Sequence, residues 1–286
     1  MNTPTLQVVP HGPLLRAEHV TIDYASERGV VRALEDVSFE VHRGDRFVLL
    51  GPSGCGKSTL LKAVGGFVAA RAGSLRLGGK PIAGPGPDRI VVFQEFDQLP
   101  PWKTVEANVM FPLLASGVGR QEARERARHW LSKVGLARFG DAYPYTLSGG
   151  MKARVAIARA LAMQPEILLM DEPFAALDAL TRRKMQEELQ ALWEEIGFTM
   201  LFVTHSIEEA LVVGNRILLL SPHPGRVRAE LNSHQFDLGS AGSPDFQAAN
   251  ERIHHLLFGD AAAPASAPVT VPAAVPAAVP MHAAHP

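Results

Sequence analysis

A glycine-rich loop between a buried strand and a helix constrains this chain more than any other feature of its sequence. The four apolar residues 47–50 are typical of a strand buried on both faces of a parallel sheet. Residues 51–58 match the phosphate-loop pattern, in which two glycines stand five positions apart and lysine and serine follow. A strand-to-helix turn without a ligand does not require this pattern, so we expect a site for nucleotide phosphates. On its own, the loop does not distinguish among kinases, GTPases and transport ATPases.

The residues of this loop have the chemistry that nucleotide phosphates and their metal ion require. Glycines let the backbone bend so that successive N–H groups converge on phosphate oxygens, and the following helix adds its positive end. Lys57 supplies a mobile cation for the outer phosphates, and the hydroxyl of Ser58 is a hard oxygen ligand for Mg²⁺. The residues that we predict to contact the nucleotide here are Gly51, Pro52, Ser53, Gly54, Cys55, Gly56, Lys57, Ser58 and Thr59.

Cys55 is the only cysteine of the chain and lies inside this loop. A single cysteine excludes an intrachain disulfide and fits a reducing compartment. Because N–H groups at a helix N-terminus stabilise negative charge, we expect Cys55 to favour the thiolate form. Alkylation should then block nucleotide binding, and bound nucleotide should protect the thiol.

The composition is that of an ordinary globular protein without a strongly charged surface. Of the 286 residues, 47% are hydrophobic and 20% are charged, and the formal net charge is -1. This balance gives no support for a nucleic-acid partner. No apolar run approaches the roughly 18 residues that span a bilayer, and residues 1–13 lack the pattern of a signal peptide. We therefore expect a cytosolic chain that meets a membrane only through a partner.

Three other predicted strands are each followed directly by residues that could act on a phosphate group. These residues are Gln94, the neighbouring acids Asp171 and Glu172, and His205. In open α/β sheets, ligands bind beyond the carboxyl ends of the strands. One carboxylate can hold a metal ion through water, and the other can orient an attacking water. Capping of its strand remains the alternative role for Gln94.

Two helix starts and one aromatic residue are further candidates for the site. Ser148 is well placed as an N-cap, and Gly149 and Gly150 leave backbone N–H groups open to an anion. Asp178 is expected to cap the next long helix. Tyr24 ends the first predicted strand beside a loop, where its ring either stacks on a nucleotide base or occupies a sheet edge.

The chain divides into three parts by composition. We interpret residues 1–13 as a flexible arm and residues 14–259 as the folded domain, with a helical insert at about 95–165. The segment 260–286 is rich in Ala and Pro, with prolines at a four-residue period, and is expected to be disordered or polyproline-like. The loop 95–102 carries several apolar residues, which indicates a contact surface.

The order of these motifs resembles that of the nucleotide-binding subunits of ABC transporters. Its most diagnostic part is the Ser-Gly-Gly segment 148–150 ahead of the acidic pair 171–172. The resemblance covers about residues 14–258. It implies an α/β fold with a RecA-like P-loop NTPase core, an antiparallel β subdomain and a helical insert, which together form an ABC ATPase cassette. Finer features resemble the nitrate, sulfonate and taurine importer group, namely residues 84–89, 99–102, 171–178 and 224–227.

The resemblance also implies a role for each position around ATP and Mg²⁺. Tyr24 corresponds to the aromatic residue that stacks on adenine. Gln94 would reach Mg²⁺ and the attacking water, and Asp171 would hold the metal through water. Glu172 would be the general base or the carboxylate that polarises the water, and His205 would contact the γ-phosphate. With Lys57 these residues form the expected catalytic set, and Ser58, Gln94 and Asp171 form the expected metal set.

The family resemblance further implies partners and a location. The segment 148–150 would act in trans, closing over ATP bound to a second copy in a head-to-tail homodimer, and Asp178 joins the expected nucleotide contacts. The loop 95–102 would meet integral membrane permease subunits, and a periplasmic or lipid-anchored solute-binding protein would act indirectly. The chain would then lie at the cytoplasmic face of the inner membrane and couple hydrolysis of ATP to ADP and phosphate to uptake of a small anion or sulfonate-like solute. Met151 departs from the commonest signature, which has Gln, but the main contacts come from Ser148 and backbone N–H groups.

Three alternatives remain beside the importer. A soluble twin-cassette protein acting on ribosomes or DNA is disfavoured by the single cassette and the lack of a basic patch. An exporter cassette is disfavoured by the apolar residues 100–102 and by the absence of a fused membrane segment. A nucleotide-binding scaffold without catalysis would be distinguished by comparing the turnover of Glu172→Gln with that of the original chain.

Overall fold

The computed structural model describes residues 12–26, 29–93 and 98–259. The predicted tail 260–286, nearly all of the predicted arm 1–13, and Gln94 with its expected contacts to metal and water lie outside the described residues. The domain boundaries stay predictions.

Within the described residues, ten strands and seven α-helices follow one another along the chain. The strands are β1 (Leu15–Ser26), β2 (Gly29–Val41), β3 (Arg46–Leu50), β4 (Ala72–Leu77), β5 (Lys80–Pro81), β6 (Arg89–Val92), β7 (Ile167–Asp171), β8 (Met200–Thr204), β9 (Arg216–Leu220) and β10 (Val227–Asn232). The helices are α1 (Lys57–Val64), α2 (Val105–Ala115), α3 (Arg120–Lys133), α4 (Gly149–Ala162), α5 (Ala179–Ile196), α6 (Ile207–Val213) and α7 (Pro244–Phe258).

A six-stranded sheet with the order β10-β9-β3-β8-β7-β6 forms the centre of the molecule. Its inner pairs are parallel, and only β10 runs antiparallel to its neighbour β9. Strands β3 and β8 are buried at every position, as expected for strands covered on both faces. The register places Leu50 beside Thr204 and Asp171 beside Val203, so the carboxyl ends of β3, β8 and β7 lie together.

A second, antiparallel sheet with the order β2-β1-β4-β5 covers one side of the core. The rings of Phe39 in β2 and Phe47 in β3 stack with their centroids 5.4 Å apart, which joins the two sheets. Strands β4 and β5 form a hairpin whose turn is at Gly78 and Gly79, both at positive φ. The predicted antiparallel β subdomain is confirmed.

The helical insert packs against the other face of the central sheet. Helices α2, α3 and α4 contact one another, and their buried residues continue the main core through Val109, Ala127 and Ala156. The sequence patterns did not indicate α2, whose apolar composition lacks a polar face and includes Pro112. Its start is nevertheless capped, because Thr104 accepts a hydrogen bond from the N–H of Ala107 at 3.2 Å. Together with the two sheets, this insert confirms the predicted fold class.

Capping residues determine where the helices that flank the site begin. The side chains of Ser148 and Asp178 cap α4 and α5, as predicted. Helix α5 packs on the core through Met185, Leu189 and Leu192, whereas Ile196 at its end is 39% exposed. None of the described helices combines the length and the apolar character needed to cross a membrane.

Candidate active site

The phosphate loop connects the carboxyl end of β3 to the start of α1. Gly54 and Gly56 have φ values of 78° and 101°, which lie in the left-handed region that favours glycine. Gly56 is the N-cap of α1, and no side chain caps this helix start. A Cβ on Gly56 would come within 2.7 Å of a methyl group of Leu34, so only glycine fits. The start of α1 is therefore an uncapped, positively polarised helix end that suits an anion.

The side chain of Lys57 folds back across this loop. Its Nζ donates hydrogen bonds to the carbonyl oxygens of Gly51 at 2.8 Å and Pro52 at 3.0 Å, and the residue is buried. The fixed cation and the uncapped helix start face the same loop. A phosphate group placed there would meet positive charge from both, which fits the predicted nucleotide.

Two predicted metal ligands, Ser58 and Asp171, lie in direct contact. The Ser58 hydroxyl donates to Oδ1 of Asp171 at 2.8 Å. Burial raises the pKa of Asp171, and the hydrogen bond from Ser58 opposes this shift. No group of three or more His, Cys, Asp or Glu residues in the described part of the chain could hold a metal. This pair fits Mg²⁺, which is commonly held by one or two protein oxygens together with substrate phosphates.

Glu172 and His205 also come together at the ends of neighbouring strands. Nδ1 of His205 lies 2.9 Å from Oε2 of Glu172. Glu172 has a φ of 45°, which is uncommon for a residue with a side chain, and its N–H is fixed by the Val203 carbonyl at 3.1 Å. The sheet thus holds this carboxylate in a strained backbone conformation beside Asp171.

Tyr24 reaches the phosphate-loop helix from the antiparallel sheet. Its hydroxyl donates to Oγ1 of Thr59 at 3.3 Å, and its ring is 38% exposed. The aromatic ring is therefore accessible to a base beside the phosphate loop. Its stacking on adenine stays a prediction.

The start of helix α4 at Ser148 makes its hydrogen bonds to residues outside the phosphate loop. Ser148 accepts a bond from the Met151 N–H at 3.3 Å, and a Cβ on Gly150 would approach Thr181 of α5 to 2.9 Å. Asp178 accepts a bond from the Thr181 N–H at 3.0 Å, and hydrogen bonds from the side chain and the N–H of Thr181 lower the pKa of Asp178. Among the described residues, no hydrogen bond joins residues 148–150 to the phosphate loop. The contacts of Gly149, Gly150 and Asp178 with a nucleotide stay predictions.

The prediction of a thiolate at Cys55 is wrong. The side chain is fully buried, and burial raises the pKa of the thiol despite the Lys57 ammonium 3.9 Å away. Its sulfur would lie 2.8 Å from a Cβ built on Gly51, beneath the loop. The sequence placed Cys55 among the N–H groups, whereas its side chain points into the apolar core.

A brace behind the phosphate loop was missed from the sequence. The N–H of Gly225 donates to the Ala33 carbonyl at 3.0 Å, and its carbonyl accepts from the Glu35 N–H at 2.9 Å. A Cβ on Gly225 would overlap the carbonyl oxygen of Cys55. Arg226 fastens the same segment, because its Nε donates to Glu35 at 3.1 Å. The segment 224–227 was noted only for its family resemblance, and a glycine that follows proline was the one local signal.

Comparisons with known proteins agree with this geometry. Residues 34–175 match the family model described as ABC transporter. The chain is 47% identical over 258 residues to the taurine import ATP-binding protein TauB of Rhizobium johnstonii, a match that covers 85% of this chain and 96% of that protein. The dimeric post-hydrolysis structure of the ATP-binding cassette MJ0796, bound to ADP and Pi, is 33% identical with a TM-score of 0.66 and covers 78% of this chain and 100% of that one. The structure of cbiO1 from Clostridium perfringens, part of an ABC transporter complex, is 28% identical with a TM-score of 0.71 and covers 85% and 98%.

Proposed function

The chain belongs to the family of ABC transporter ATP-binding proteins, and we propose from this premise that it powers the import of taurine or a closely related sulfonate. It is the ATP-hydrolysing subunit of an ABC importer for sulfonate-like solutes. The choice of taurine is supported by relatives named as taurine import proteins, which this chain matches over most of its own length and theirs. Exporter and non-transport roles do not fit these relatives.

The observation that carries the proposal is the meeting of three strand ends at one edge of the central sheet. Strand β3 delivers the phosphate loop, β7 delivers the acidic pair, and β8 delivers His205. A structural role alone would not explain a buried cation, a hydroxyl and two carboxylates converging beside an uncapped helix start.

Each side chain at this edge of the sheet has a separate role in hydrolysis. When ATP and Mg²⁺ are bound, they supply the transferred γ-phosphoryl group and part of the charge that neutralises it. Lys57 exchanges its loop carbonyl partners for outer phosphate oxygens, while Ser58 and Asp171 offer oxygens to the metal and its water. Glu172 accepts the proton of the attacking water, and His205 holds this carboxylate and contacts the γ-phosphate. Gln94 is proposed to add an amide contact to the same water.

The negative charge on the side of the γ-phosphate that faces away from Lys57 requires a second set of hydrogen-bond donors. One chain supplies Lys57 on one side, and the helix start at 148–150 makes no hydrogen bond to the phosphate loop within the described residues. We therefore place this helix start over the nucleotide of a second copy, related by a twofold axis. The chain forms cassette dimers, in agreement with the dimeric relative.

The helical insert presents the surface that we assign to the permease. Trp102 is 75% exposed and Phe111 is 48% exposed, and the ammonium of Lys103 lies 5.0 Å from the ring centre of Phe111. Exposed aromatic side chains of this size indicate a binding surface. As an import subunit the chain binds membrane permeases and is a peripheral membrane protein. A location at the cytoplasmic face of the inner membrane and an indirect solute-binding protein are part of the proposal.

The exchange Glu172→Gln tests the catalytic part of this proposal. It removes the proton acceptor while keeping the shape of the side chain, so phosphate release should fall by about 100-fold or more. Binding of ATP should persist, as measured by titration with a fluorescent analogue. Equal phosphate release from both proteins would remove Glu172 from the mechanism.

Deletion of the gene tests the cargo. Uptake of radiolabelled taurine by the source cells should be lost, and a plasmid copy of the original gene should restore it while a Glu172→Gln copy should not. Uptake that persists in the deletion strain would reject taurine as the solute, and comparing nitrate uptake between the original and the deletion strain would then test the other anion class of the group.

A further inference from the structure

We propose that the contact between Arg159 and Gln98 is a positioning contact that makes the exposed loop around Trp102 move together with the Ser148 end of helix α4. The loop meant here comprises residues 98–104 and is called the Trp102 loop below. The inference rests on the proposed function, because it assigns the permease to one end of this connection and the partner's nucleotide to the other. The inference adds two residues to those assigned above. Neither of them contacts the nucleotide, and neither lies at the exposed surface of Trp102.

The contact itself is a two-pronged hydrogen bond from a partly buried cation. Nη1 of Arg159 donates to the backbone carbonyl of Gln98 at 2.7 Å, and Nη2 donates to its Oε1 at 2.9 Å. The guanidinium is partly buried, and this burial lowers the pKa of Arg159. Hydrogen bonds from a charged donor are stronger than neutral ones, and two parallel bonds also fix direction. Arg159 therefore holds both the backbone and the side chain of Gln98.

The Trp102 loop behaves as a rigid piece because its other end is also fixed. The fully buried Asn108 directs its amide nitrogen at the carbonyl oxygens of Lys103 at 3.0 Å, Thr104 at 3.0 Å and Pro100 at 3.2 Å. Leu99 is anchored in the core with 2% exposure. A load on the projecting indole of Trp102 is thus carried to Gln98 and Asn108 instead of being absorbed within the loop.

Helix α4 connects Arg159 to the helix start at Ser148, which we place beside the partner's nucleotide. A displacement of the Trp102 loop is therefore passed along this helix. Arg159 lies ten residues after the first residue of α4, which corresponds to about 15 Å along the axis. The helix contains no proline, so it acts as a stiff rod that ends at the Ser148 cap. Gln98 also donates from Nε2 to the Phe93 carbonyl at 2.9 Å, immediately after β6. Gln98 is therefore the point at which the sheet, the Trp102 loop and α4 meet.

Another arginine on the same helix provides a matched control. Nε of Arg154 lies 2.6 Å from Oε2 of Glu188 in α5, so this side chain ties α4 to α5 and not to the Trp102 loop. Loss of Arg154 should weaken the packing of α4 without separating it from the loop. Comparison of the two arginines distinguishes the coupling role from a general effect on helix α4.

The test compares the isolated chain with the transporter assembled from this chain and its permease subunits. The variants are Gln98→Ala, Arg159→Gln and their combination, with Gln98→Glu as the conservative variant that keeps both acceptors. Two rates of phosphate release are measured, that of the isolated chain and that of the purified complex in liposomes, together with recovery of the complex on an affinity tag.

We expect the isolated rate to stay within about twofold, the complex to assemble, and the rate of the complex to fall by about tenfold, within the usual range for coupling between sites. The double variant should be no worse than Arg159→Gln alone, because Gln98→Ala removes only the side-chain acceptor, one of the two bonds that Arg159→Gln already removes. Gln98→Glu should keep more of the rate of the original complex than Gln98→Ala, because it keeps both acceptors for Arg159 and loses only the bond to the Phe93 carbonyl. Arg154→Gln should not change the ratio of the two rates.

Three outcomes would overturn the proposal. These are an unchanged rate of the complex, an equal fall of the isolated and assembled rates, and loss of assembly, which would assign the pair to docking itself. Failure of the proposed function would look different. The original chain would then release no phosphate or would not bind the permease, whatever the variants do.

Discussion

The thiol of Cys55 lies beneath the phosphate loop, in the apolar core. Two opposing influences act on its pKa. Burial raises the pKa of the thiol, and the neighbouring Lys57 charge lowers it, with burial the larger of the two. A raised pKa means that the neutral thiol persists to higher pH than in free cysteine, so the reactive thiolate is scarce at neutral pH.

Alkylation kinetics test this conclusion directly, since Cys55 is the chain's one cysteine. At pH 8 we expect iodoacetamide to modify the folded protein at least about tenfold more slowly than free cysteine, because both thiolate fraction and access are reduced. The rate should rise as the pH approaches the raised pKa, and unfolding in urea should restore the rate of the free amino acid. Intact-mass spectrometry counts the single adduct, and a rate equal to that of free cysteine at pH 8 would contradict the burial argument.

Among the secondary-structure elements, those with a strong local pattern could be predicted from the sequence. The buried run before the phosphate loop and the caps at Ser148 and Asp178 depend on neighbours along the chain, and the structure has all three. Strand β10 was missed because it is an edge strand with alternating exposure and ordinary composition. The orientation of the Cys55 side chain and the brace at Gly225 depend on contacts between distant segments, and no local pattern encodes these contacts.

The exchange Gly225→Ala tests whether the turn between β9 and β10 shapes the phosphate loop. The added Cβ would overlap the Cys55 carbonyl, so the loop must shift and its N–H groups lose their convergence. We expect the dissociation constant for ATP to rise by about tenfold or more, since a shift of this kind weakens several charge-assisted hydrogen bonds at once. Titration with a fluorescent ATP analogue measures this effect. Gly119→Ala is the matched control, because nothing lies within 4 Å of a Cβ there. Equal affinities in the two variants would reject the bracing role.

On the scale of the whole molecule, the residues that we propose for catalysis lie at two separate places. Lys57, Ser58 and the acidic residues gather at the sheet edge, whereas the Ser148 helix start is capped at the far end of a stiff helix in the insert. In the proposed dimer, a twofold axis would turn these two halves into two complete sites, and a single chain would close neither of them. The Arg159 contact with Gln98 then gives the permease a mechanical connection to the half that must approach the partner's nucleotide.

A mixing experiment tests this division between copies. Lys57→Ala damages only the phosphate-loop half and Ser148→Arg only the helix half, so each protein alone should retain about 1% of the original phosphate release or less. In an equimolar mixture, half of the dimers would contain both variants, and each of these would hold one undamaged site. The mixture should therefore recover up to about a quarter of the original rate, because one site in two is restored in one dimer in two. If residues 148–150 acted on the nucleotide of their own chain, every dimer would hold only damaged sites and mixing would restore nothing. The two variants should also be mixed after each has been combined with Glu172→Gln, and any recovery in that control would exclude hydrolysis at the composite site as its source.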